Sequence, residues 1–361
     1  MSVIHFSEQY KQALLEGFNK ASDTDALFSH ELDMEFSGVK TVHVTSLKTE
    51  KLQDYDRTAA VGDRSRFGDT KEVCDQEQTF TMTQDKALSL SIDKGNNAEQ
   101  FNMKKAGAVM KAHRDEQIIP EVDAYRLAKW AKEAGIHAQL EETPNRDNIV
   151  TQIMELHNQQ LDKGVPENVT LVISRTYLPA LKLSNEWSGL DSLGGVTLAK
   201  GVIGMFDGMA VKPVTSKKMP AGVAFMLIYK GSVISPMKIS DFKGHIDPPG
   251  LSGDLLEFRM MYDAFVLGKK ADGVAVAVLP GFASSEPAIE VNGNEVEIGA
   301  TALSEVRYTV DGTDPRYSAD AKTAVGLTGL NLNSYPDCTV IRACAVEEGK
   351  YMSNVVEKVV R

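Results

Sequence analysis

Positive charge is in short supply along this 361-residue chain: 39 Lys and Arg stand against 50 Asp and Glu, a formal net charge of -11. A protein that grips nucleic acid over its whole surface neutralises phosphates with basic side chains, and this composition excludes that. Cysteine is scarce as well, with only Cys74, Cys338 and Cys344. The last two lie six residues apart in what reads as one strand, roughly 20 Å when extended, which is beyond disulfide reach. No Cys-x-x-Cys occurs and the seven histidines are dispersed, so no zinc pattern is present. Long apolar runs are missing too. A membrane-spanning helix needs ~18 or more apolar residues, whereas the longest run here, Val223 to Tyr229, has strand length. Met1 to Tyr10 has neither the basic start nor the apolar stretch of an export signal. Three thiols and no export signal lead to the expectation of a protein made in a reducing cytoplasm, without a membrane partner.

The chemistry of catalysis is equally hard to find. Gly201-x-x-Gly204-x-x-x-Gly208 has the wrong spacing for a dinucleotide fingerprint, and no Walker motif appears. Asp311-Gly312-Thr313-Asp314 lacks the length and terminal glutamate of a calcium loop and reads as a turn. Glu141-Glu142 reads as a solvated pair, and His113 and His157 as surface or packing residues on helices. No catalytic residue, cofactor or metal is therefore expected, and the chain does not read as an enzyme.

What is there is ordinary globular material, 42% hydrophobic and 25% charged, long enough for two or three domains. Tyr10, Leu14 and Phe18 have rough helical spacing in a polar N-terminal stretch. That stretch reads equally as a loose arm and as an arm that ties subunits together. Thr41 to Val44 alternates as a strand does, and so do Phe80, Met82, Leu88, Leu90 and Ile92. Between them, Gln53 to Asp69 is dotted with glycine, carries charges of both signs and has almost no large apolar residue. Strands on both sides of such a tip predict an extended β-hairpin arm.

A long helix is predicted over 97–134. Asn97 and Gln100 stand in capping-box positions, Ala124, Leu127, Ala131 and Ala134 mark one face, and Gly135 follows as a C′ residue. Pro120 inside it removes a backbone donor, so a bend is expected there. Helices over Arg146–Lys163 and Tyr177–Leu183 then enclose a strand at Val169–Ser174, and Asp207-Gly208 makes a hairpin turn. Residues 221–280 read as one sheet, with Leu256, Phe258, Met260, Tyr262, Ala264 and Val266 alternating. Ser284 to Pro287 reads as a linker with few contacts across it. The short strands beyond it suggest a separate all-β unit.

This order of elements resembles the major capsid proteins of tailed bacteriophages, which share the Hong Kong 97 fold. The resemblance is carried by Phe80 to Lys86, Ser91 to Lys94, Gln117 to Arg126, Gly204 to Val214 and Arg259 to Val266, and covers about residues 40–280. It implies an α+β fold divided into an N-terminal arm (1–40), an extended loop (41–95) and the spine helix of a peripheral domain (96–143). An axial domain (144–220), a peripheral-domain sheet (221–283) and a C-terminal decoration domain (284–361) complete the division. The last rests on a second likeness. Arg307 to Pro315 resembles a hairpin of the small immunoglobulin-like β-sandwich modules found in chitobiases.

The resemblance implies a structural virion protein that self-assembles, as hexamers and pentamers, into the icosahedral shell around double-stranded DNA. The genome would then be met only by non-specific proximity. A portal and a separate scaffolding protein are implied as partners, because only about 40 residues precede the shell region. Arg57, Arg64, Arg66 and Phe67 at the loop tip are the candidate contacts between subunits. Two other readings stand beside it, an encapsulin-like nanocompartment shell and a carbohydrate-binding surface protein. The second has little to work with, since the C-terminal unit contains no tryptophan for sugar stacking.

Overall fold

The computed structural model describes residues 22–29, 35–37, 41–47, 55, 57, 75–95, 106–184, 204–300, 304–318, 320–335 and 340–360. In chain order the strands begin with β1 (Glu35–Ser37), β2 (Thr41–Leu47), β3 (Asp75–Thr81) and β4 (Gln84–Asp93). Helices α1 (Ala106–His113) and α2 (Ile119–Lys132) follow, joined by a π-helical turn at Arg114–Ile118. Next come β5 (Ile136–Gln139), α3 (Ile149–Asp162), β6 (Val169–Ser174), α4 (Leu178–Leu183), β7 (Gly204–Phe206), β8 (Met209–Val214) and β9 (Val223–Tyr229). The body ends with β10 (Val233–Ile234), β11 (Met237–Ile246), β12 (Gly253–Tyr262), β13 (Phe265–Val266) and β14 (Val274–Val278). The C-terminal part holds β15 (Ala288–Asn292), β16 (Glu295–Gly299), β17 (Glu305–Thr309), β18 (Lys322–Val325), β19 (Thr328–Asn331), β20 (Val340–Val346) and β21 (Val356–Val359). The architecture is mixed α+β.

A six-stranded mixed sheet in the order β5-β14-β9-β6-β8-β7 forms the centre of the body. Its strands are buried on both faces, and the period of two sorts their side chains. In β14, Val274, Val276 and Val278 face one core with Leu127, Trp130 and Ala131 of α2. Ala275 and Ala277 face a second core with Ile149, Ile153 and Leu156 of α3 and Leu181 of α4. Helices thus cover both sides, as a sheet apolar on both faces requires. The three-stranded antiparallel sheet β11-β12-β4 packs Leu256, Phe258, Met260 and Tyr262 of β12 against Met110, Ile119 and Val122 of the helices.

The sheet assignment read from the sequence needs correction. Residues 221–283 do not make one sheet: β9 and β14 pair with each other and with β6 and β5, whereas β11 and β12 pair with β4. Continuous apolar runs such as β9 belong in a doubly covered sheet, and alternating ones such as β12 in a singly covered one. The alternation through Ala264 and Val266 spans a break, because Asp263 leaves β12 and β13 pairs with β10 instead. The buried face of α2 is Ile119, Val122, Asp123, Arg126, Leu127, Trp130 and Ala131. Leu127, Ala131 and Ala134 of the expected face are buried in the core and Ala124 is half-buried, and the stripe also takes in two charged residues, Asp123 and Arg126, that apolar spacing alone does not select.

Gly135 does end the helical segment, but for a different reason than a left-handed cap. It is absent from the positive-φ glycines. A Cβ there would lie 2.3 Å from the carbonyl carbon of Ala271, so the residue is glycine because two backbones meet.

The C-terminal part has two antiparallel sheets, β15-β16-β19 and β18-β17-β20-β21. They share one apolar cluster that includes Val296, Ile298, Val306, Ile341 and Ala343. The stretch before it is no loose linker. Ala283 bridges Tyr351, the Ser284 amide donates to the Tyr351 carbonyl at 2.9 Å, and Ser284 is buried.

Candidate functional site

Three polar junctions converge on α2, and each fastens a different segment of the chain to the body. The first holds residues 22–28. Asp123 is fully buried on α2. Its carboxylate accepts from the Asp23 amide (3.0 Å), the Thr24 hydroxyl (2.7 Å), the Ser22 hydroxyl and the Lys218 ammonium (2.9 Å). Burial alone would raise this carboxyl, but the bonds from Ser22, Thr24 and Lys218 outweigh it and hold it below its ordinary value. One turn on, Arg126 donates to the Thr24 hydroxyl (3.0 Å) and to that of Ser235 (2.8 Å), and its guanidinium lies 4.7 Å from the Phe28 ring centre.

The second junction is the base of the β2–β3 hairpin. β2 and β3 pair in register from Thr41 opposite Thr81 to Leu47 opposite Asp75. Val42, Val44 and Met82 are buried against Ile234, Met261, Phe265 and Leu267, and Phe80 stacks on Phe265. The polar partner is Asp263, also fully buried. It accepts from the Thr83 amide (2.7 Å) and hydroxyl (3.0 Å), from the Tyr125 hydroxyl (2.7 Å) and from the Ala264 amide (2.8 Å). Four donors satisfy this carboxylate within the low-dielectric interior, and an unmet group there would be costly. On β3 itself, the Gln78 side-chain oxygen accepts from the Gly268 amide at 3.0 Å.

The third junction fastens the C-terminal part. Arg316, its side chain 2% exposed, pairs with Asp314 through Nε to Oδ1 (2.9 Å) and Nη2 to Oδ2 (2.6 Å). Its Nη1 donates to the carbonyls of Gly135 and Ala134 just beyond α2. Tyr317 donates to the Glu133 carbonyl at 2.6 Å. Cationic and hydroxyl donors at this end suit the carbonyls and the negative end of the helix dipole. Nearby, the buried His137 stacks on Tyr351 with ring centres 5.8 Å apart, and its amide donates to the Asn354 side chain. Burial depresses the His137 imidazole to about 4, so it is neutral near pH 7.

These clusters order polypeptide, and each carboxylate in them is saturated by the chain's own donors. Among the described residues no group of three His, Cys, Asp or Glu is placed to hold a metal, and no helix is long and apolar enough to cross a membrane. The Asp311–Asp314 stretch is a turn, with the Asp311 carboxylate taken by the Thr313 amide (3.1 Å) and hydroxyl (2.6 Å). Cys344 is buried, and burial pushes its thiol up to about 11.

Of the residues singled out in the sequence, Arg57 is described and exposed. Arg64, Arg66 and Phe67 lie outside the described residues, as do Cys74 and Cys338. Pro120 stands second in α2, directly after the π-helical turn, where the Ile119 amide reaches back five residues to the Arg114 carbonyl. Its missing N–H thus falls where the winding has already departed from α. Sequence reasoning missed Asp123, Arg126, Asp263 and Arg316. The first two carried a legible signal, charge inside a helical stripe that is otherwise apolar. Asp263 and Arg316 act across 138 and 181 residues respectively, which no local pattern reveals.

No protein-family model matches the chain, and no curated protein sequence does. Solved structures do resemble it. A chain of the cyanophage P-SCSP1u capsid superposes with a TM-score of 0.51 at 12% identity, over 68% of this chain and 84% of that one. A chain from Microbacterium phage Oxtober96 gives 0.49 at 12% identity, over 72% and 91%. One from a virus-like particle of Pyrococcus furiosus gives 0.47 at 10%, over 75% and 99%. At the identity of the first match the likeness is one of fold alone: 68% of this chain shares the fold of a phage capsid chain.

Proposed function

We propose that this protein is the major capsid protein of a tailed phage, a shell subunit of the Hong Kong 97 type and not an enzyme. The observation that carries the reading is the β2–β3 hairpin. It is anchored at its base by Phe80, Asp263 and Gln78, in a chain of which 68% superposes on a capsid chain. An arm fixed so firmly at one end serves reach, and Arg57, Arg64, Arg66 and Phe67 near its tip are read as contacts to a neighbouring subunit. In this reading the arm is the extended loop, α1 and α2 the spine, the six-stranded sheet the axial part and β11-β12-β4 the peripheral part. The π turn before Pro120 is where the spine would bend.

The two-sheet C-terminal part is read as a small β-sandwich of the immunoglobulin-like kind, placed on the outer face of the shell. From Glu286 onward the chain has twelve acidic and seven basic residues, a net of -5, and an acidic unit is repelled by packed DNA. Hexamers and pentamers, a separate scaffolding protein, a portal and enclosed double-stranded DNA complete the picture, with assembly in the host cytoplasm.

The test is expression of the full chain, alone and with the candidate scaffolding protein encoded beside it, followed by electron microscopy. Closed icosahedral particles are the expected result. A persistent monomer under both conditions overturns the reading.

A further inference from the structure

The Arg316 junction and the arm base share a piece of backbone. Gly268 opens the helical loop between β13 and β14 and donates its amide to Gln78 of β3. On its other side stands Tyr317. A Cβ built on Gly268 would lie 3.1 Å from the Gln78 side-chain nitrogen and 3.3 Å from Tyr317 Cβ and Cγ. The glycine thus sits between the arm and the C-terminal unit, where a methyl group would press on both. Phe265, three residues earlier, carries the Phe80 stack, and between them the Val266 amide donates to the Glu133 carboxylate at 3.2 Å. The carbonyl of that same Glu133 accepts the Tyr317 hydroxyl. Tyr317 therefore touches both supports of the arm base, and Arg316, held by Asp314, fixes Tyr317 against them.

We propose that the Asp314–Arg316–Tyr317 turn is a brace: the C-terminal unit sets the direction in which the β2–β3 arm leaves the body. Three features favour a brace over a passive tether. The turn contributes an almost fully buried arginine, which a loose attachment would leave in water. All three of its Arg316 nitrogens are used, two on Asp314 and one on the carbonyls beyond α2, so the geometry is fixed in direction as well as distance. The loop it grips is the one that holds β3, and not the distant β11–β12 hairpin. The consequence for shells rests on the proposed function: if the arm reaches a neighbour, the C-terminal unit influences the angle between subunits.

Hydrogen exchange on the unassembled full-length chain tests the brace without requiring particles. Tyr317→Ala is compared with wild type, with Lys322→Ala as a control at an exposed position of the same unit. The expected result is roughly tenfold faster exchange of the protected amides in 75–81 and of Gly268, with 288–299 unchanged. Wild-type rates in 75–81 alongside faster exchange at 133–135 would overturn the brace. Should the alanine variant unfold the C-terminal unit, Tyr317→Phe keeps the ring and removes only the bond to Glu133. Gly268→Ala wedges Gln78 from Tyr317. Both are expected to speed 75–81, and wild-type rates in both overturn the proposal. A wild-type chain that never closes into particles would count against the proposed function and leave the exchange result standing.

Discussion

Phe80 stacks on Phe265 with ring centres 4.6 Å apart and 24° between the planes. One ring belongs to the arm and the other to the two-residue strand β13, so this pair joins the hairpin to the body through side chains alone. Around it lie Val42, Val44, Met82 and Met261, all buried.

Phe80→Ala removes this contact. Phe80 is only partly buried, so the loss is the stacking plus part of an aromatic burial, about 2 kcal/mol. The expected outcome is faster amide exchange in 41–47 and 75–81, with the six-stranded sheet unaffected. Equal slowing or speeding throughout the chain would mean that the pair supports the whole fold.

The Asp123 cluster makes a pH-dependent prediction. Its carboxylate is held below the ordinary value in the folded state, so the unfolded chain takes up the proton first as pH falls. The stabilisation is complete above the unfolded carboxyl's value and fades as pH drops through the lower folded one. Asp123→Ala removes the acceptor of the Ser22 and Thr24 hydroxyls and the Asp23 amide and leaves Lys218 with Asp23 alone, at a cost of about 3 kcal/mol. Urea unfolding at pH 7 measures that loss, and the variant should show a flatter stability profile below pH 4 than wild type does.

How much of this was legible in the sequence depends on distance along the chain. The hairpin turn at Asp207-Gly208, α3 with Ile149, Ile153 and Leu156 on one face, and the strand at Val169–Ser174 were all readable from local periodicity. The partition of the sheets was not. β9 and β12 sit close in sequence but differ in whether one or both faces are covered, and that depends on where α2 and α3 come to rest. Asp123 and Arg126 were visible as charges in an apolar stripe, yet their partners lie about a hundred residues away. The linker-like residues 283 and 284 gave no sign of the backbone bonds to Tyr351, because Gly, Pro and Ser serve tight junctions as well as loose ones.

His137 predicts a second acid sensitivity, of different origin. Burial holds the folded imidazole at about 4, below its ordinary 6.5. Between those values the unfolded chain is protonated and the folded one is not, so stability falls as pH drops from about 6.5 to 4, by about 3 kcal/mol. Tyr351 and Arg316 face this ring, and a cation there would meet the Arg316 charge. Thermal unfolding of His137→Gln should lack this slope between pH 6.5 and 4.5. An unchanged slope would place the sensitivity elsewhere.

The arm tip supplies the prediction that bears most directly on assembly. Gln53 to Asp69 offers few large apolar side chains and several charges, and Arg57 within it is exposed. The hairpin base is fixed by the Phe80 stack, the Asp263 cluster and Gln78, which sets the direction in which β2 and β3 leave the body. Arginine is suited to bidentate contact with a neighbour's carboxylates, and a chain with net charge -11 presents many of these. On the proposed function, replacing Arg64 and Arg66 by Glu would turn each such attraction into repulsion between subunits. In a stretch with almost no large apolar residues, charge reversal is expected to leave the unfolding temperature at the wild-type value. Its yield of closed particles should fall at least about tenfold, since each lost charge contact at an interface is worth about 1.5 kcal/mol or more. Electron microscopy and sedimentation measure both quantities on one preparation. Normal particle yield with Arg64 and Arg66 reversed would remove these residues from the assembly contact.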